Sequence, residues 1–210
     1  MSEASVALRT LREARAALTR GQVVDAAGRL FLTGGYVGTS IGSIAADAGV
    51  SVQTIYNAVG NKAALLSAVL EATASGPEAP TPVPEFMAER VRAAAEATTV
   101  IAVLADWFVE VNVRTAGIWS VIRQAAAVDE DAAAMQRARD EQRLRNYRLA
   151  AVELRSRGAL VSMSDEEAAA TIWTIGHPES YRTLVGNLGW STEGYREWVR
   201  KALAGALGAA

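Results

Sequence analysis

Polar side chains that can bond to base edges and phosphates lie close together between residues 53 and 57 of the 210-residue sequence. Gln53 can hydrogen-bond a base edge, preferentially that of adenine, and Asn57 can bond either a base or a phosphate. Thr54 can bond either group or contact a thymine methyl, and the hydroxyl of Tyr56 can reach a phosphate. The segment therefore has side chains suited to reading double-stranded DNA.

Helix signals place these side chains on the second of two short helices. Ser40 is spaced to cap the first helix, whose apolar pattern ends before a turn at Gly49. Ser51 is spaced to cap the second, over Val52–Ala58, and Gly60 interrupts the pattern again. Two short helices joined by a glycine-containing turn form a helix-turn-helix, whose second helix lies in the major groove. The same spacing also fits a short αα-hairpin inside a core.

A longer helix precedes this pair, and another follows it. Thr19 and Gln22 have the spacing of a capping box, and an apolar helical pattern runs from there to Gly34-Gly35. Asn61 is spaced to cap the following helix, which opens with Lys62.

Phosphate contacts are expected at the helix starts. Thr39 and Ser40 offer hydroxyls and free backbone N–H groups, and Lys62 offers a cation. The predicted DNA-binding residues are Thr39, Ser40, Ser51, Val52, Gln53, Thr54, Tyr56, Asn57 and Lys62. Residues 1–75 hold six Lys or Arg and five Asp or Glu, a net charge of only +1. Binding should therefore depend on dimerisation and direct readout.

Five ordered motifs resemble the DNA-binding region of the tetracycline-repressor (TetR) family of bacterial transcriptional regulators. They are AAGRLF at 26–31, GYVGTS at 35–40, IAADAGVS at 44–51, TIY at 54–56 and NKAALL at 61–66. The chain departs from the family at Ala58-Val59, where His-Phe is usual, and at Ala63, where an acidic residue is usual. The resemblance implies an N-terminal three-helix DNA-binding head and a C-terminal helical ligand-binding and dimerisation domain.

The composition agrees with an all-α fold, because Ala, Leu, Arg and Glu dominate and strand-like alternation is absent. Four of the five prolines lie between residues 77 and 84, which indicates a linker. We therefore expect a head at 1–75, with an N-terminal arm over 1–18 and a linking helix over 62–75, and a second domain at 84–210. The predicted C-terminal helices are 85–97, 100–114, 118–128, 130–157, 165–175, 178–188 and 192–207.

Aromatic residues recur along the predicted C-terminal helices. As a set they suit either a packed core or an apolar cavity with few polar groups. The candidate ligand-binding residues are Trp107, Phe108, Val111, Asn112, Trp119, Arg123, Tyr147 and Trp173. The implied effector is a mostly hydrophobic or aromatic small molecule. Arg123 either pairs with an anionic group on that molecule or forms a surface salt bridge.

Apolar stripes near the C-terminus suggest a dimer interface, which the resemblance also implies. One stripe runs over 199–207 and another over 172–188. The arginine run at 137–157 is better explained by a solvated helix with i,i+4 pairs than by a nucleic-acid stripe. The basic residues of 9–20 form either a DNA-contacting arm or a solvated helix. His177, the only histidine, is expected to be a hydrogen-bonded structural residue.

The residue inventory argues against an enzyme. The chain has no cysteine and one histidine, which disfavours a zinc site or a Ser/Cys nucleophile with a histidine base. We expect no metal and no cofactor. The absence of an apolar leader or a membrane-spanning run predicts a cytoplasmic location, without a membrane partner.

These observations and the resemblance lead to one functional hypothesis and one alternative. The hypothesis is a ligand-responsive transcriptional regulator, a repressor, that binds a palindromic DNA operator as a homodimer and is released by a mostly apolar small molecule. The alternative is a helical small-molecule-binding or scaffold protein that no longer reads DNA. The nearly neutral head and the missing His-Phe pair motivate the alternative.

Overall fold

The computed structural model describes residues 3–76 and 83–208, with side chains from residue 12 onward. Within these residues all regular structure is helical. The helices are α1 (Glu3–Gly38), α2 (Ile41–Ala48), α3 (Val52–Ala58), α4 (Lys62–Ser75), α5 (Val83–Ala93), α6 (Ala97–Ala126), α7 (Glu130–Ser156), α8 (Asp165–Ile175), α9 (Pro178–Tyr181, continued by a π-helical stretch Arg182–Asn187) and α10 (Thr192–Leu207). The all-α class predicted from composition is confirmed.

The predicted starts of α2, α3, α4 and α8 hold, and a polar side chain caps each of them. Ser40 and Ser51 cap α2 and α3, and Ser164 caps α8, each accepting a backbone N–H with its side chain. The Asn61 side chain accepts the N–H of Ala64 in the first turn of α4 in the same way. Most of the proline-rich linker, residues 77–82, lies outside the described residues.

Several predicted helix boundaries are wrong, among them that of the helix predicted at 85–97, which ends at Ala93. Thr19 does not start a helix, because α1 already runs from Glu3 and the Thr19 hydroxyl donates to the Arg15 carbonyl within it. The predicted arm over 1–18 is therefore helical in its described part. The predicted helices 100–114 and 118–128 are one helix, α6, which runs through Gly117. A Cβ on Gly117 would lie 2.9 Å from Leu32 Cδ2, so close packing, not a helix break, accounts for this glycine.

The chain forms two compact units. The first comprises the described residues up to Thr73 together with Gly117–Gln136. The domain boundaries predicted from the sequence place Gly117–Gln136 in the C-terminal domain instead. The second comprises Ala74–Ala116 and the described residues from Arg137 onward.

The core of the first unit is built around α1. Val23, Ala27 and Phe31 lie on one face of α1, fully buried with apolar residues of α2, α3 and α4. Gly35 adopts φ 68° and ψ 177°, which breaks α1 and turns the chain toward α2. Ile118 and Ile122 of α6 are buried in the same core. This core fixes the two short helices at the N-terminal end of the chain.

The core of the second unit is rich in aromatic side chains. Phe108 of α6 packs edge-to-face on Tyr147 of α7, with ring centroids 5.7 Å apart. Tyr195 of α10 is fully buried between Tyr181 and Trp198, with centroids 5.1 and 6.1 Å away. Asn112 of α6 is 1% exposed and donates to the Tyr195 hydroxyl at 3.1 Å.

The apolar stripes predicted to form a dimer interface lie mostly in this core. Val199, Leu203 and Leu207 of α10 are buried within their own unit, and so is Ile172 of α8. Helical periodicity identified the apolar face correctly, but the face is covered by the same chain. Leu188 remains exposed.

Gly176 gives a direct test of packing in the second unit. A Cβ there would lie 2.3–2.5 Å from three carbons of the Phe108 ring, although the backbone φ of −82° suits any residue. Gly176→Ala should therefore lower the free energy of unfolding by about 1–3 kcal/mol through overpacking. Urea denaturation measures this change.

The matched control is Gly205→Ala in α10, where the added Cβ meets nothing within 4 Å. That variant should gain about 0.5–1 kcal/mol, because alanine is the better helix former. Equal effects of the two substitutions would contradict the assignment of Gly176 to a steric role.

Candidate nucleic-acid interface

The helices α2 and α3 are anchored in the first unit by a few apolar side chains. Ile44 and Ala45 bury the inner face of α2, and Ile55 is the buried residue of α3. Gly49 ends α2 in the left-handed region at φ 67°, so the turn to α3 is tight. The two helices and the turn have the arrangement of the predicted helix-turn-helix.

The outer face of α3 carries the side chains predicted to read bases. Gln53, Tyr56 and Asn57 are all exposed, as is the apolar Val52 at the start of the helix. The Gln53 Nε2 donates to Asn57 Oδ1 at 3.0 Å, so the two amides are pre-aligned one turn apart. This pair leaves the Gln53 oxygen and the Asn57 amino group directed to outside partners.

Two further predicted residues, Ser40 and Ser51, act first as helix caps. Ser51 Oγ accepts the N–H of Thr54 at 3.1 Å and lies 2.8 Å from its hydroxyl. Ser40 and Ser43 form a reciprocal capping box at the start of α2, with distances of 2.9 and 3.0 Å. Ser40 and Ser51 are nevertheless exposed and lie at the helix starts where phosphate contacts were predicted.

Thr39 has an internal role that the sequence did not reveal. It is 3% exposed, and its hydroxyl is 2.8 Å from the Gly35 carbonyl and 3.0 Å from the Leu30 carbonyl. Both carbonyls lie near the break in α1, and the Thr39 hydroxyl supplies them with a hydrogen-bond donor. Thr39 therefore supports the end of α1, and its predicted contact with DNA stays a prediction.

Lys62 is held by its own unit. Its Nζ lies 4.0 Å from the ring centroid of Tyr36, in a cation–π contact. The Tyr36 hydroxyl donates to Asp129 Oδ2 at 2.8 Å, and burial together with that bond raises the pKa of Tyr36. Burial lowers the pKa of Lys62, while the Asp129 carboxylate opposes that shift. The predicted phosphate contact would require Lys62 to leave this cluster of Tyr36, Lys62 and Asp129.

Sequence reasoning missed other residues that position α3 and α4. Arg20 of α1 donates to the Ala58 carbonyl at 2.8 Å, at the C-terminal end of α3. The Asn61 side chain donates to Asp131 Oδ2 at 2.9 Å, across seventy residues of sequence. Asp129 caps the start of α7 by accepting the N–H of Ala132. No local signal identifies such partners, because the tertiary fold brings them together.

The candidate ligand-binding residues divide between the two units. Trp107, Phe108, Val111, Asn112, Tyr147 and Trp173 all belong to the core of the second unit or pack against it. Trp119 and Arg123 lie within Gly117–Gln136 of the first unit, and the exposed Arg123 donates to Ser120 Oγ at 3.3 Å. The grouping of these eight residues in one ligand site stays a prediction.

The arginines of α7 are less uniform than predicted. Arg145 pairs with Glu141 as the i,i+4 pattern predicts. Arg157, just after α7, pairs with Glu153 in the same i,i+4 pattern and also donates to the carbonyls of Val91, Arg92 and Ala94 at the end of α5. Arg155 donates to Asp165 at 2.8 Å and to the Leu160 carbonyl at 3.1 Å.

His177 has the hydrogen-bonded structural role that was predicted. Its Nδ1 accepts the N–H of Glu179 at 3.1 Å and so caps α9. In the part of the chain that the structure describes, no three His, Asp or Glu side chains are grouped as a metal site. Over the same residues, no helix is long and apolar enough to cross a lipid bilayer.

The comparisons with known proteins agree with this geometry. Residues 23–69 match the family model described as bacterial regulatory proteins, tetR family. No curated protein matches the chain. The matched region covers α2, α3, most of α4 and the part of α1 that forms the core of the helix-turn-helix.

Solved structures share the fold at low sequence identity. A structure described as a TetR-family transcriptional regulator from Syntrophomonas wolfei is 18% identical, with TM-score 0.74, covering 90% of this chain and 95% of its own. NalD of Pseudomonas aeruginosa, the secondary repressor of the MexAB-OprM multidrug efflux pump, is 19% identical, with TM-score 0.71 and coverages of 91% and 96%. A transcriptional regulator from Saccharomonospora viridis in complex with choline is 14% identical, with TM-score 0.67 and coverages of 91% and 98%.

Residues 23–69 therefore match the model of the tetR family of bacterial regulatory proteins, and α3 presents its polar outer face within them. The fold of the chain is similar to that of the solved transcriptional regulators.

Proposed function

We propose that this regulator is a repressor that binds a palindromic operator as a homodimer and is released by a small molecule with a mostly apolar body. The observation that carries the DNA-binding part is the outer face of α3. Gln53, Tyr56 and Asn57 are exposed there, on a helix whose inner residue Ile55 is fully buried. A rigid helix with polar amides on its free face suits direct readout in a major groove.

The proposed dimer follows from the two-fold symmetry of a palindromic DNA site. One head carries one α3, and a palindromic site presents two equivalent half-sites, so two copies related by a two-fold axis are required. Val199, Leu203 and Leu207 of α10 are buried in the core of their own unit, so we look for interface residues among the exposed apolar side chains. Two large apolar side chains near the start of α10, Leu188 and Trp190, are 63% and 41% exposed. They are our candidates for part of the interface.

The release step requires a ligand that favours a different state of the protein. A ligand shifts such an equilibrium only through its different affinities for the two states. The six candidate ligand residues of the second unit supply the apolar surroundings. Helices α6 and α7 each contribute residues to both units and so provide a covalent path between them. The solved choline complex supports small-molecule binding within this fold.

The structure gives one specific argument for the alternative, a ligand-binding protein that does not read DNA. Lys62 is the only basic residue between Arg29 and Arg90 of the sequence, and Tyr36 and Asp129 hold it. If Lys62 stays in this internal contact, the DNA-binding head has one fewer cation that can contact a phosphate. The two functions make opposite predictions for the first experiment.

That experiment is selection from random-sequence DNA with the purified chain at two salt concentrations. We expect enrichment of a palindromic sequence, bound by two chains per site. Salt-sensitive binding without any enriched sequence would reject the repressor and favour the alternative.

Asn57→Ala tests direct readout by α3. Loss of a base-reading amide should cost about 1–3 kcal/mol of discrimination between the selected site and a scrambled site. Affinity for the scrambled site should stay the same, since that affinity comes from phosphate contacts. Fluorescence anisotropy with both duplexes measures the two affinities.

The matched control for this variant lies on α7. Gln142 Nε2 donates to Asn146 Oδ1 at 3.0 Å, the same i,i+4 pair as Gln53 and Asn57. Asn146→Ala removes this pair away from α3 and should leave discrimination intact. A loss of discrimination in both variants would point to a general effect on stability and would reject the assigned role of Asn57.

Asp129→Asn tests whether the Tyr36–Lys62–Asp129 cluster limits DNA affinity. The asparagine Oδ1 can still accept the N–H of Ala132, but the negative charge that attracts Lys62 is lost. We expect tighter binding to any DNA and a log–log salt slope steeper by about one, as for one added phosphate contact. Titrations at several salt concentrations measure the slope.

Glu130→Gln is the charge-matched control, because Glu130 is exposed and adjacent to Asp129. It should change affinity much less than Asp129→Asn does. Adding Lys62→Ala to Asp129→Asn should abolish the gain. If the gain survived that second substitution, Lys62 would not be its source.

A further inference from the structure

Two buried polar atoms of the second unit have no hydrogen-bond partner among the described residues. One is Asn112 Oδ1, on a side chain that is 1% exposed, and the other is the Trp173 indole Nε1. Both side chains contact the same short segment. The Asn112 amino group donates to the Gly176 carbonyl at 3.3 Å, and the Trp173 ring packs edge-to-face on the His177 ring with centroids 5.5 Å apart. We call these two side chains the Asn112/Trp173 pair.

The orientation of the Asn112 amide is fixed by its neighbours. The Gly176 carbonyl can only accept a hydrogen bond, so the amino group of Asn112 must face it. The same amino group donates to the Tyr195 hydroxyl at 3.1 Å. Exchanging the two ends of the amide would break the bond to Gly176. Oδ1 is therefore the end left over, and it is an acceptor that needs a donor.

Trp173 has the opposite requirement, because an indole N–H can only donate. Buried polar groups in folded proteins nearly always have partners, since desolvation without a compensating bond is costly. A single bound group could satisfy both atoms. It would have to donate a hydrogen bond to Asn112 Oδ1 and accept one from Trp173 Nε1.

The charges around the pair favour an uncharged group. Burial raises the pKa of Tyr195 to about 12 and lowers the pKa of His177, so both side chains are neutral at neutral pH. The charges of Arg143 and Glu179 act on the pKa of His177 in opposite directions. A carboxylate has no proton to donate to Asn112 Oδ1. Burying an ion of either sign without a partner is strongly unfavourable.

We propose that the Asn112/Trp173 pair binds the polar end of the effector, an uncharged group that both donates and accepts a hydrogen bond, as a carboxamide or a hydroxyl does. The inference rests on the proposed function and names its ligand class. The N–H or O–H of the ligand donates to Asn112 Oδ1, and its oxygen accepts from Trp173 Nε1. Phe108 lies one turn before Asn112 on α6 and against Gly176, so it supplies an apolar contact for the rest of the molecule.

The test uses probes that share an apolar body and differ in the polar group. The first series is N-methyl-4-phenylbutyramide, methyl 4-phenylbutyrate, 4-phenylbutanol, 4-phenylbutyrate and 4-phenylbutyl-trimethylammonium. A second series carries the same groups on an octyl chain. The N-methylamide and the methyl ester have nearly the same shape, but only the amide has an N–H. Binding to the full chain without DNA is measured by calorimetry and by tryptophan fluorescence.

We expect the amide, the alcohol or both to bind about tenfold or more tightly than the ester and the two ions. The ester is less polar than the amide, so apolar burial alone would give the reverse order for these two probes. The affinities of the amide and the alcohol show which of the two groups the pair binds better.

Two variants separate the two hydrogen bonds. Asn112→Leu removes the acceptor, so it should weaken binding of the amide about tenfold or more without weakening the ester, and the difference between them should vanish. Trp173→Phe keeps a ring and removes the donor to the carbonyl oxygen. It should weaken the amide and the ester by similar factors and preserve their difference. A purely structural role of either residue would weaken all probes alike.

Trp198→Phe is the matched control, and it should leave the order of the probes intact. Trp198 packs against the same core, but its ring neighbour is Tyr195 rather than His177. Circular dichroism and thermal unfolding establish that the variants fold. Asn112→Leu also loses the bonds to Gly176 and Tyr195. If that variant does not fold, Trp173→Phe and the order of the probes decide.

The proposal would be overturned if the ester bound as tightly as the amide and the alcohol, if either ion bound most tightly, or if no probe bound. Amide binding that Trp173→Phe left unchanged would do the same, as would an amide preference that survived Asn112→Leu in an amide-binding chain. The readout does not involve DNA, so it separates this inference from the proposed function. Probe binding in the expected order without any selected operator would reject the repressor alone. An enriched palindrome without probe binding would reject the ligand class alone.

Discussion

The apolar core of the first unit is the interaction on which the DNA-binding geometry depends. The segment of about fifty residues that carries the helix-turn-helix motifs is too short to bury a large core by itself. Ile118, Val121 and Ile122 of α6 complete that core by packing among the apolar residues of α1 and α4. The orientation of α3 therefore depends on residues about sixty positions further along the chain. Any shift of this part of α6 acts on the surface that faces DNA.

A polar contact accompanies the apolar one at the junction of α6 and α7. Asp129 accepts a hydrogen bond from the Tyr36 hydroxyl, and Asp131 accepts one from the Asn61 side chain. These two carboxylates therefore hold the end of α1 and the start of α4. The same carboxylate that anchors Tyr36 also attracts Lys62.

The second unit combines tight packing with incomplete hydrogen bonding. A Cβ on Gly176 would collide with the Phe108 ring, so the apolar part of this core tolerates little change. Beside it, the Asn112 oxygen and the Trp173 indole N–H are buried without partners. A core that only stabilised the fold would gain from apolar residues at these positions. The second unit nevertheless retains both polar atoms in its core.

The sequence by itself predicted the features that local interactions determine. Ser40, Ser51 and Asn61 cap their helices through backbone N–H groups three residues away, so side-chain type and spacing were sufficient to identify them. The exposed outer face of α3 followed from helical periodicity. The family motifs, which are ordered along one short segment, by themselves indicated the regulator class.

Only the tertiary structure decided which apolar and polar faces are covered, and by what. From the sequence, Thr39, Lys62 and the apolar stripe of α10 were expected to be exposed to outside partners. In the structure each of them contacts other residues of its own unit. Trp119 and Arg123 look like neighbours of Asn112 on one helix, but α6 places them in the other unit. Periodicity gives the face of a helix, whereas its partner depends on long-range packing that no local pattern encodes. Which residues cover a given helix face is therefore decided by the whole fold.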